Sequence, residues 1–531
     1  MRKSPEQRDF VTNNSSTVSD VTPRTHELVK GIGLASAIAL VMGSMIGSGI
    51  FIVSADIARL VGSPSLLIWT WIVTGIMVVG GALAYGELAV MMPRAGGQYI
   101  YLREALGPLW GFLYGWTSFL VIQTGTIAAV GMAFGKFLGV LVPSISPTNW
   151  LIHLVHVPLI HVGPVRMGDI DVGLNTQNVV GIFVVVFLTG INILGVKTGA
   201  AVQLVLTTAK AILLLSLIGL GIFIGRNAQA ISSNFGASFW HGSGWHVLHA
   251  VHIGTGASIV TVGSITIVAL AQVGPMFASE AWNNVTFASG EVRNPQRTLP
   301  MALVIGSGAV IVLYILTNFA YLSVLPLAGT RNAVTVLDRG IQYASEDRVA
   351  TAMIEQVFGS IGAKIMAGAI LLSCFGAANG LILAGARVYY AMARNGLFFH
   401  GAASIHPKYR TPARSLVIQC VWACILCISG SYGQLLDYIV FAVVMFYILT
   451  LLAVFALRRR WPEKPRPYRA VGYPILTGAN IIIAIYIDAV LLKYKPQYTW
   501  PGLIIVLLGL PFYFLIARGN ASRTVPAAVL E

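Results

Sequence analysis

The stretch Met45-Ile46-Gly47-Ser48-Gly49-Ile50-Phe51 lies inside the first long apolar run of the chain, Ile32 to Ile57. Two glycines that flank a serine are poor helix formers, and a break in a membrane helix leaves backbone N–H and C=O groups without partners. Such groups are costly in hydrocarbon unless they line a cavity, so the stretch predicts a binding site. A half-helix that begins there would direct its N–H groups at an anion such as a carboxylate, which suits a transporter of small carboxylated solutes.

The composition is that of a polytopic membrane protein. The chain has 531 residues, of which 56% are hydrophobic and 10% are charged, and its mean hydropathy is +0.78. Apolar runs of about 20 residues, long enough to cross a bilayer, recur along it. The formal net charge is +15, but basic residues between spans more often set topology than bind nucleic acid. We therefore expect a lipid bilayer around the chain and no nucleic-acid partner.

The apolar runs predict an all-α protein with about twelve transmembrane helices. These spans lie near residues 32–57, 65–92, 108–142, 178–196, 198–225, 262–289, 300–326, 361–393, 412–429, 434–457, 472–492 and 500–518.

The basic residues are unequally divided between the two predicted sides of the membrane. With the N-terminus inside, 23 fall in inner segments and 10 in outer segments, while only Lys210 falls within a span. The positive-inside rule then predicts that both termini are cytoplasmic in a plasma (inner) membrane protein. The first thirty residues are polar and lack an apolar core, so we expect no cleaved signal peptide. We predict a cytoplasmic tail over 1–30, a transport core over 31–457, spans 11 and 12 within 458–520, and a cytoplasmic tail over 521–531.

A second helix breaker, Gly274-Pro275, lies in the sixth predicted span, five spans after the first break. Corresponding weak points in two halves indicate an inverted repeat, here spans 1–5 against spans 6–10. The substrate would then lie between the two broken helices near the middle of the membrane.

Lys210 is the only basic residue deep in a predicted span. A charge at that depth is costly and is a functional hypothesis by default. The alternative is a lysine that extends to the cytoplasmic interface, although Lys210 lies roughly 20 Å along the helix from Lys197 at 1.5 Å per residue. The cysteines Cys420, Cys424 and Cys427 have helical spacing but no nearby histidine or carboxylate. We therefore expect no metal site there, and no cofactor.

Three groups of motifs occur in order along the chain. They are Gly43-Ser44-Met45-Ile46-Gly47-Ser48-Gly49-Ile50-Phe51 with Tyr85-Gly86-Glu87-Leu88 and Pro93-Arg94-Ala95-Gly96-Gly97-Gln98-Tyr99; Phe277-Ala278-Ser279-Glu280-Ala281-Trp282-Asn283 with Glu291-Val292-Arg293-Asn294-Pro295-Gln296-Arg297; and Ser373-Cys374-Phe375-Gly376-Ala377-Ala378-Asn379-Gly380 with Arg387, Arg394-Asn395-Gly396 and His406-Pro407.

Over about residues 30 to 520, these motifs together resemble the amino acid–polyamine–organocation (APC) superfamily and, within it, the L-type amino-acid transporter family. Each motif alone would be a weak signal, whereas their joint order is specific. The resemblance implies a LeuT-type 5+5 inverted repeat with discontinuous spans 1 and 6. It also implies a sodium-independent secondary transporter that moves L-amino acids by alternating access without chemical conversion, with antiport as one form. An enzyme is not expected, because no histidine lies with a carboxylate in one predicted cavity.

The resemblance also implies how an amino acid would be bound at the first break. The backbone N–H groups of Ser48 and Gly49 would bind the α-carboxylate, and Gly47 would allow close approach. Backbone carbonyls around Ile46, Phe277 and Glu280, expected to lack partners at the unwound ends, would accept the α-ammonium. A glycine face for helix packing is the alternative for Gly43 and Gly47.

In the sixth span, the resemblance implies that Phe277 is an aromatic gate over the bound amino acid. It places Ala278, Trp282 and Asn283 in or near the pocket. Glu280 departs from the family, which commonly has a small or apolar residue there. An ionised carboxylate in the pocket would favour lysine, arginine or ornithine, whereas a protonated one could accept neutral substrates and couple a proton to transport. Alternatively, Glu280 turns away and pairs with a neighbouring polar group.

Lys210 matches a fifth-span lysine of the L-type transporters, whose ammonium occupies the place where sodium-coupled relatives hold Na⁺. The resemblance therefore implies that Lys210 lies near carbonyls of the first span around Gly43 and near Ser373. The charged residues Glu87, Arg94, Glu291 and Arg387 belong to motifs at the cytoplasmic ends of the spans. They could form an inner gate of ion pairs, but charges at that depth are usually topological anchors.

Partners and competing functions follow from two further observations. Eukaryotic L-type transporters have a cysteine in the outer loop after span 3 that bonds a glycoprotein subunit, and residues 143–177 contain none. We therefore expect no disulfide-linked heavy subunit. Two alternative functions remain: a proton-coupled importer or carrier of cationic amino acids or polyamines, which Glu280 could favour, and a non-transporting amino-acid sensor.

Overall fold

The computed structural model describes residues 30–157, 160–162, 165–167, 170–236, 239, 245, 248–253, 258–429 and 432–521. Within these ranges, nine helices are long and apolar enough to cross a membrane. A further span is the pair Leu34–Met45 and Gly49–Val61, bent by 41°, and two shorter apolar helices are Ser264–Ala278 and Ala413–Ile428. The protein is therefore a polytopic all-α membrane protein, as its composition predicts.

The spans follow the predicted order and are named here by number. They are span 1a (Leu34–Met45), span 1b (Gly49–Val61), span 2 (Pro64–Met91), span 3 (Pro108–Leu141), span 4 (Thr176–Ile193), span 5 (Val196–Gly219, continued by a π turn at Leu220–Ile224), span 6a (Ser264–Leu270 and Val273–Ala278), span 7 (Pro295–Val324), span 8 (Val349–Arg394), span 9 (Ala413–Ser429), span 10 (Tyr432–Arg460), span 11 (Ile475–Tyr494) and span 12 (Pro496–Ala521). Span 6b consists of the 3₁₀ turns Trp282–Thr286 and Ser289–Glu291.

Shorter elements connect the spans. The helices are Gln98–Leu106, Ala228–Asn234 and Val336–Arg339, with 3₁₀ turns at Ser345–Asp347 and His400–Ala403. The strands are β1 (Trp150–Val157), β2 (Ile160–Val162), β3 (Val165–Met167), β4 (Ile170–Asn175), β5 (His249–Ile253) and β6 (Ser258–Val262). They pair antiparallel as β1 with β4, β2 with β3, and β5 with β6.

The ends of the helices define two sides of the membrane. The side near Glu291, here called the Glu291 side, carries the start of span 1a and the ends of spans 2 and 8. The side near Arg59, here called the Arg59 side, carries the end of span 1b and the start of span 6a. Near the centre, span 1a packs against spans 5, 7 and 8, and span 1b packs against span 6a. The two interrupted spans are thereby brought together inside the helix bundle.

Span 6 is interrupted twice near the predicted break at Gly274-Pro275: briefly at Ala271-Gln272, directly before it, and more fully after Ala278. Gly274 and Pro275 lie inside the helix Val273–Ala278, where proline is tolerated because the first turn of a helix needs no N–H donor. The helix ends after Ala278, and Ala281 adopts a left-handed conformation with φ 71°. Gly274 serves close packing instead, since a Cβ there would lie 2.9 Å from Val53 Cβ on span 1b.

Span 8 starts close to residue 361, as predicted, because the helical stretch Val349–Arg394 is divided at Gly359, where φ is 67° and ψ is −160°. The residues before Gly359 form a separate short helix that leads into the span. Glycine accepts that positive φ without the steric penalty that other residues incur. The remaining spans start and end within a few residues of the predicted limits.

Candidate substrate site

The break in span 1 lies where the glycine-serine-glycine stretch predicts it. Span 1a ends at Met45, Ile46 has ψ 85°, and span 1b begins at Gly49 with Ser48 as its N-cap. A helix start of this kind carries N–H groups that have no partner within the helix. The approach to span 6a is close, because a Cβ on Gly49 would lie 2.6 Å from Ala278 Cβ. Only glycine fits at that crossing.

The break in span 6 presents a carboxylate. The turn at Ser279–Ala281 is stabilised by a hydrogen bond from Glu280 N to Phe277 O, 3.1 Å long. The Glu280 side chain is 7% exposed, and its Oε2 atom has no hydrogen-bond partner within the described part of the chain. A buried carboxylate oxygen without a partner is costly. This oxygen is therefore a group that a ligand or a proton would stabilise.

A small cavity lies between the two breaks, and its volume is about 10 Å³. That is room for about one water molecule. Its lining combines predicted and unpredicted residues: Ser44, Met45, Gly47, Ser48, Gly49, Thr126, Val130, Phe277, Ala278, Glu280, Ala281 and Leu381. Spans 3 and 8 thus contribute Thr126, Val130 and Leu381, which sequence reasoning missed. Glu280 is one of the residues that line this cavity.

Tyr314 on span 7 connects the two breaks, and sequence reasoning also missed it. Its hydroxyl lies 2.9 Å from Met45 O and 3.1 Å from Ala278 O, so its single proton is shared between the carbonyl ends of spans 1a and 6a. The side chain is fully buried. A buried tyrosine usually has a hydrogen-bond partner, and that rule was the available signal, although it does not say which spans supply the partner.

Lys210 binds the backbone of span 1 at its break. Its Nζ donates to Gly43 O at 2.7 Å and to Ile46 O at 2.8 Å, and the side chain is 1% exposed. Ser373 Oγ on span 8 lies 3.2 Å from both Ile46 O and Gly47 O. The ammonium therefore lies among the broken backbone and does not extend to an interface.

The expectation that the Ile46 and Phe277 carbonyls lack partners is wrong. Ile46 O accepts from Lys210 and Ser373, and Phe277 O accepts from Glu280 N. The reason is that an unwound helix end in a dry interior is satisfied by the nearest donors, which here come from other spans and from the following turn.

Trp282 and Asn283 lie beside the cavity and do not line it. The Trp282 ring contacts Tyr85 and Tyr447, with ring centroids 4.7 and 5.6 Å apart. Asn283 Nδ2 donates to Gln98 Oε1 at 2.9 Å. These contacts form a buried aromatic and amide layer between the cavity and the Glu291 side.

Ion pairs close the Glu291 side. Arg387 on span 8 forms a two-bond pair with Glu291, with Nε–Oε1 2.9 Å and Nη2–Oε2 3.2 Å, and both side chains are buried. Glu291 O also accepts from Gly31 N and Ile32 N, ahead of span 1a. Glu87 pairs with Arg458 at 2.6 Å. Arg94 is exposed.

The Arg59 side is closed by a different set of contacts. Arg59, at the end of span 1b, donates to Gln342 O at 2.8 Å and pairs with Asp347 at 2.5 Å. Gln342 Nε2 in turn donates to Ala58 O at 3.2 Å. Span 1b is therefore attached to the segment between spans 7 and 8, and the small cavity is enclosed from both sides.

Within the described ranges, no group of three or more histidine, cysteine, aspartate or glutamate side chains could hold a metal ion. The four cysteines form no disulfide, and Cys374 and Cys427 are buried.

A bundle of membrane spans in which two interrupted helices face each other around an enclosed cavity has the architecture of a secondary transporter. The amino acid permease family profile matches residues 32–514. This chain therefore belongs to the amino acid permease family, within the APC superfamily, and it is an amino acid transporter and not an enzyme.

Curated relatives cover nearly the whole chain. The serine/threonine exchanger SteT of Bacillus subtilis is 30% identical, over 93% of this chain and 98% of SteT. The b(0,+)-type amino acid transporter 1 of Rattus norvegicus is 29% identical, over 95% and 91% of the two chains. The large neutral amino acids transporter small subunit 2 of Mus musculus is 29% identical, over 97% and 87%.

Proposed function

We propose that this chain is a sodium-independent exchanger of L-amino acids that works by alternating access. The observation that carries the proposal is the ammonium of Lys210, bound to the carbonyls of Gly43 and Ile46. A cation fixed at the broken backbone supplies the positive charge that a bound Na⁺ would otherwise have to provide. The name of the SteT relative, an exchanger, supports the exchange mode.

The substrate would bind where spans 1 and 6 are interrupted. The N–H groups of Ser48 and Gly49 would bind the α-carboxylate at the start of span 1b. The carbonyls around Ile46, Phe277 and Glu280 would accept the α-ammonium. Ile46 O already accepts from Lys210 and Ser373, so the α-ammonium would have to displace one of these donors to bind there.

Transport would require the cavity to enlarge. A volume of about 10 Å³ does not hold an amino acid, so spans 1b and 6a must separate from spans 3 and 8 before a substrate enters. On one side this separation breaks the Arg59 contacts, and on the other it breaks the Glu291–Arg387 pair. Alternation between these two openings is alternating access, and it gives exchange when the carrier reorients only with a substrate bound.

The side-chain preference would be for neutral amino acids. The names of the relatives include serine, threonine and large neutral amino acids, and the cavity is lined mainly by small or apolar side chains. We also propose a plasma (inner) membrane location with the Glu291 side and both termini in the cytoplasm, on the basis of the basic residues. A disulfide-linked heavy subunit is not part of this proposal, since residues 143–177 contain no cysteine.

Reconstitution into liposomes tests the proposal. Uptake of each of the twenty labelled amino acids is measured with and without unlabelled amino acid inside, in sodium buffer and with Na⁺ replaced by choline. We expect uptake of neutral amino acids that requires internal amino acid and is unchanged in choline. Strict dependence on Na⁺ would contradict the role of Lys210, and binding without uptake would indicate a sensor.

The second candidate is a proton-coupled carrier of cationic amino acids or polyamines. It is favoured by one observation, the unpartnered Oε2 of Glu280 at the cavity. In the same liposomes, this candidate predicts lysine or polyamine uptake that is driven by an imposed pH gradient and does not need internal amino acid.

A further inference from the structure

A second cavity lies away from the substrate site, among spans 2, 6a and 11 on the Arg59 side. Its volume is about 480 Å³, within the range of about 300–1,000 Å³ that is usual for pockets of small apolar ligands. We call it the span 2–6–11 groove. Its principal lining residues are Trp69, Val73, Trp245, Ile265, Val268 and Ile482.

The groove offers a ligand almost no hydrogen bonds. Trp245 Nε1 donates to Ser65 Oγ at 3.0 Å, and Ser264 Oγ donates to Trp245 O at 2.7 Å. The hydroxyl of Tyr486 lies 3.0 Å from Thr266 Oγ1. Because these polar atoms already have partners, a water molecule in the groove would form few hydrogen bonds with them. An apolar occupant is therefore favoured.

The groove also opens to the membrane at a defined depth. Ile265 is 76% exposed and Ile482 is 70% exposed, so their side chains face hydrocarbon in the bilayer. The groove extends inward from the helix ends on the Arg59 side: Ile265 is the second residue of span 6a, and Val73 lies nine residues after the start of span 2, about 14 Å along the helix at 1.5 Å per residue. That range matches one leaflet of a hydrocarbon core about 30 Å thick.

We propose that the span 2–6–11 groove is a binding site for one phospholipid acyl chain from the leaflet on the Arg59 side. The volume, the satisfied polar atoms and the depth are those required for a single hydrocarbon chain. A transmembrane helix of another protein would have to fit its side chains into a concave groove only a few turns long, where the polar atoms named above already have partners within the protein.

The site is connected to the moving part of the transporter. Val268 in the groove lies one turn before Gln272, whose side chain connects span 6a to span 2 through hydrogen bonds. Gln272 Nε2 donates to Thr70 O at 3.1 Å, and Thr74 Oγ1 donates to Gln272 Oε1 at 2.7 Å. An acyl chain packed beside these hydrogen bonds would resist movement of span 6a relative to span 2. Its presence would therefore regulate opening on the Arg59 side.

Photolabelling of the full-length protein in liposomes tests the proposal. The probe is a phosphatidylcholine with a diazirine within one acyl chain, and labelled peptides are located by mass spectrometry. We expect labelling concentrated on spans 2, 6a and 11. Val73→Trp fills the groove and should lower that labelling on the order of tenfold, because buried methylene contacts are lost.

Two further variants keep the test decisive. Val312→Trp on span 7 is the matched control, because Val312 is 56% exposed and does not line the groove; its labelling should equal that of the wild type. Ile482→Trp fills the groove from span 11 and replaces Val73→Trp if that variant does not fold. Wild-type labelling in both groove variants, equal loss in the control, or cross-linking of the groove to a second protein chain would overturn the proposal.

Discussion

The two interrupted spans meet at one cavity, but their broken backbones are satisfied in different ways. In span 1, the carbonyls at the break bind Lys210 and Ser373, two side chains from other spans. In span 6, the break carries Glu280, whose Oε2 has no partner among the described residues. The comparison indicates that the span 1 break is held by contacts within the protein, whereas the span 6 break keeps one group available to a substrate or a proton.

Removing the ammonium from the span 1 break should have the largest effect. Lys210→Met keeps most of the side-chain volume but leaves the carbonyls of Gly43 and Ile46 without that donor. Ile46 O still accepts from Ser373, so the main loss is at Gly43 O, and an orphaned buried group costs about 1–3 kcal/mol. We expect a clear fall in thermal stability and a loss of transport on the order of a hundredfold or more.

Thermal unfolding and liposome uptake measure the two effects of Lys210→Met. Lys364→Met is the matched control, because Lys364 is exposed, and it should behave as the wild type. Wild-type uptake in Lys210→Met would show that the break in span 1 does not depend on a fixed cation.

Closing the approach between the two breaks should have the next largest effect. In Gly49→Val, the added Cβ would lie 2.6 Å from Ala278 Cβ, and overpacking of this kind costs about 1–3 kcal/mol. We expect substrate affinity to fall by roughly tenfold to a hundredfold, with normal insertion into the membrane. Gly308→Val is the control, since a Cβ there meets nothing within 4 Å. Retained wild-type affinity in Gly49→Val would remove the span 1b start from the binding site.

The link between the two breaks can be tested separately. Tyr314→Phe removes the hydroxyl shared between Met45 O and Ala278 O. Because a hydrogen bond contributes about 0.5–1.5 kcal/mol net, we expect affinity to fall roughly threefold to tenfold, by a binding assay such as isothermal calorimetry. Tyr494→Phe, at the end of span 11, should have no effect. An unchanged Tyr314→Phe would mean that the two breaks are positioned independently.

The sequence predicts more of the span 1 break than of the span 6 break, and the reason is physical. At Gly47–Gly49 the glycines mark the break itself, so local residue preference and structure agree. At Gly274 the glycine serves helix packing against Val53, and the left-handed residue at the break is Ala281. Backbone propensity cannot distinguish a glycine needed for conformation from one needed for space.

Local sequence patterns do not predict which residues from distant parts of the chain come into contact. The resemblance led us to expect Lys210 near Gly43 and Ser373, and the structure places them together. It did not indicate Tyr314, Thr126 or Leu381, because their roles depend on which spans face the cavity. The sequence identifies the charged residues Glu291 and Arg387 as candidates for an ion pair. It does not show that they pair with both side chains buried, because that contact depends on how span 6b packs against span 8.

The last prediction concerns Glu280 and should have the smallest effect on neutral substrates. Glu280→Gln keeps the size of the side chain and its hydrogen-bonding capacity, but it removes the charge and the titratable proton. Since Glu280 lines the cavity, we expect the variant to lose preference for cationic amino acids, or to lose any dependence of uptake on pH, while neutral amino acids are transported close to the wild-type rate. Glu463→Gln, at an exposed position, is the control and should alter neither property.

The two possible responses of Glu280→Gln separate two states of the carboxylate. A charge that contacts a cationic side chain in a closed site contributes about 1.5–3 kcal/mol, so an ionised Glu280 would give roughly tenfold to a hundredfold discrimination that the variant loses. A protonated Glu280 gives no such discrimination, and its signature is instead pH-dependent uptake that disappears when no proton can be bound. An unaltered substrate profile together with an unaltered pH profile would contradict the contrast between the breaks, because the carboxylate at span 6 would then act on neither substrate nor proton.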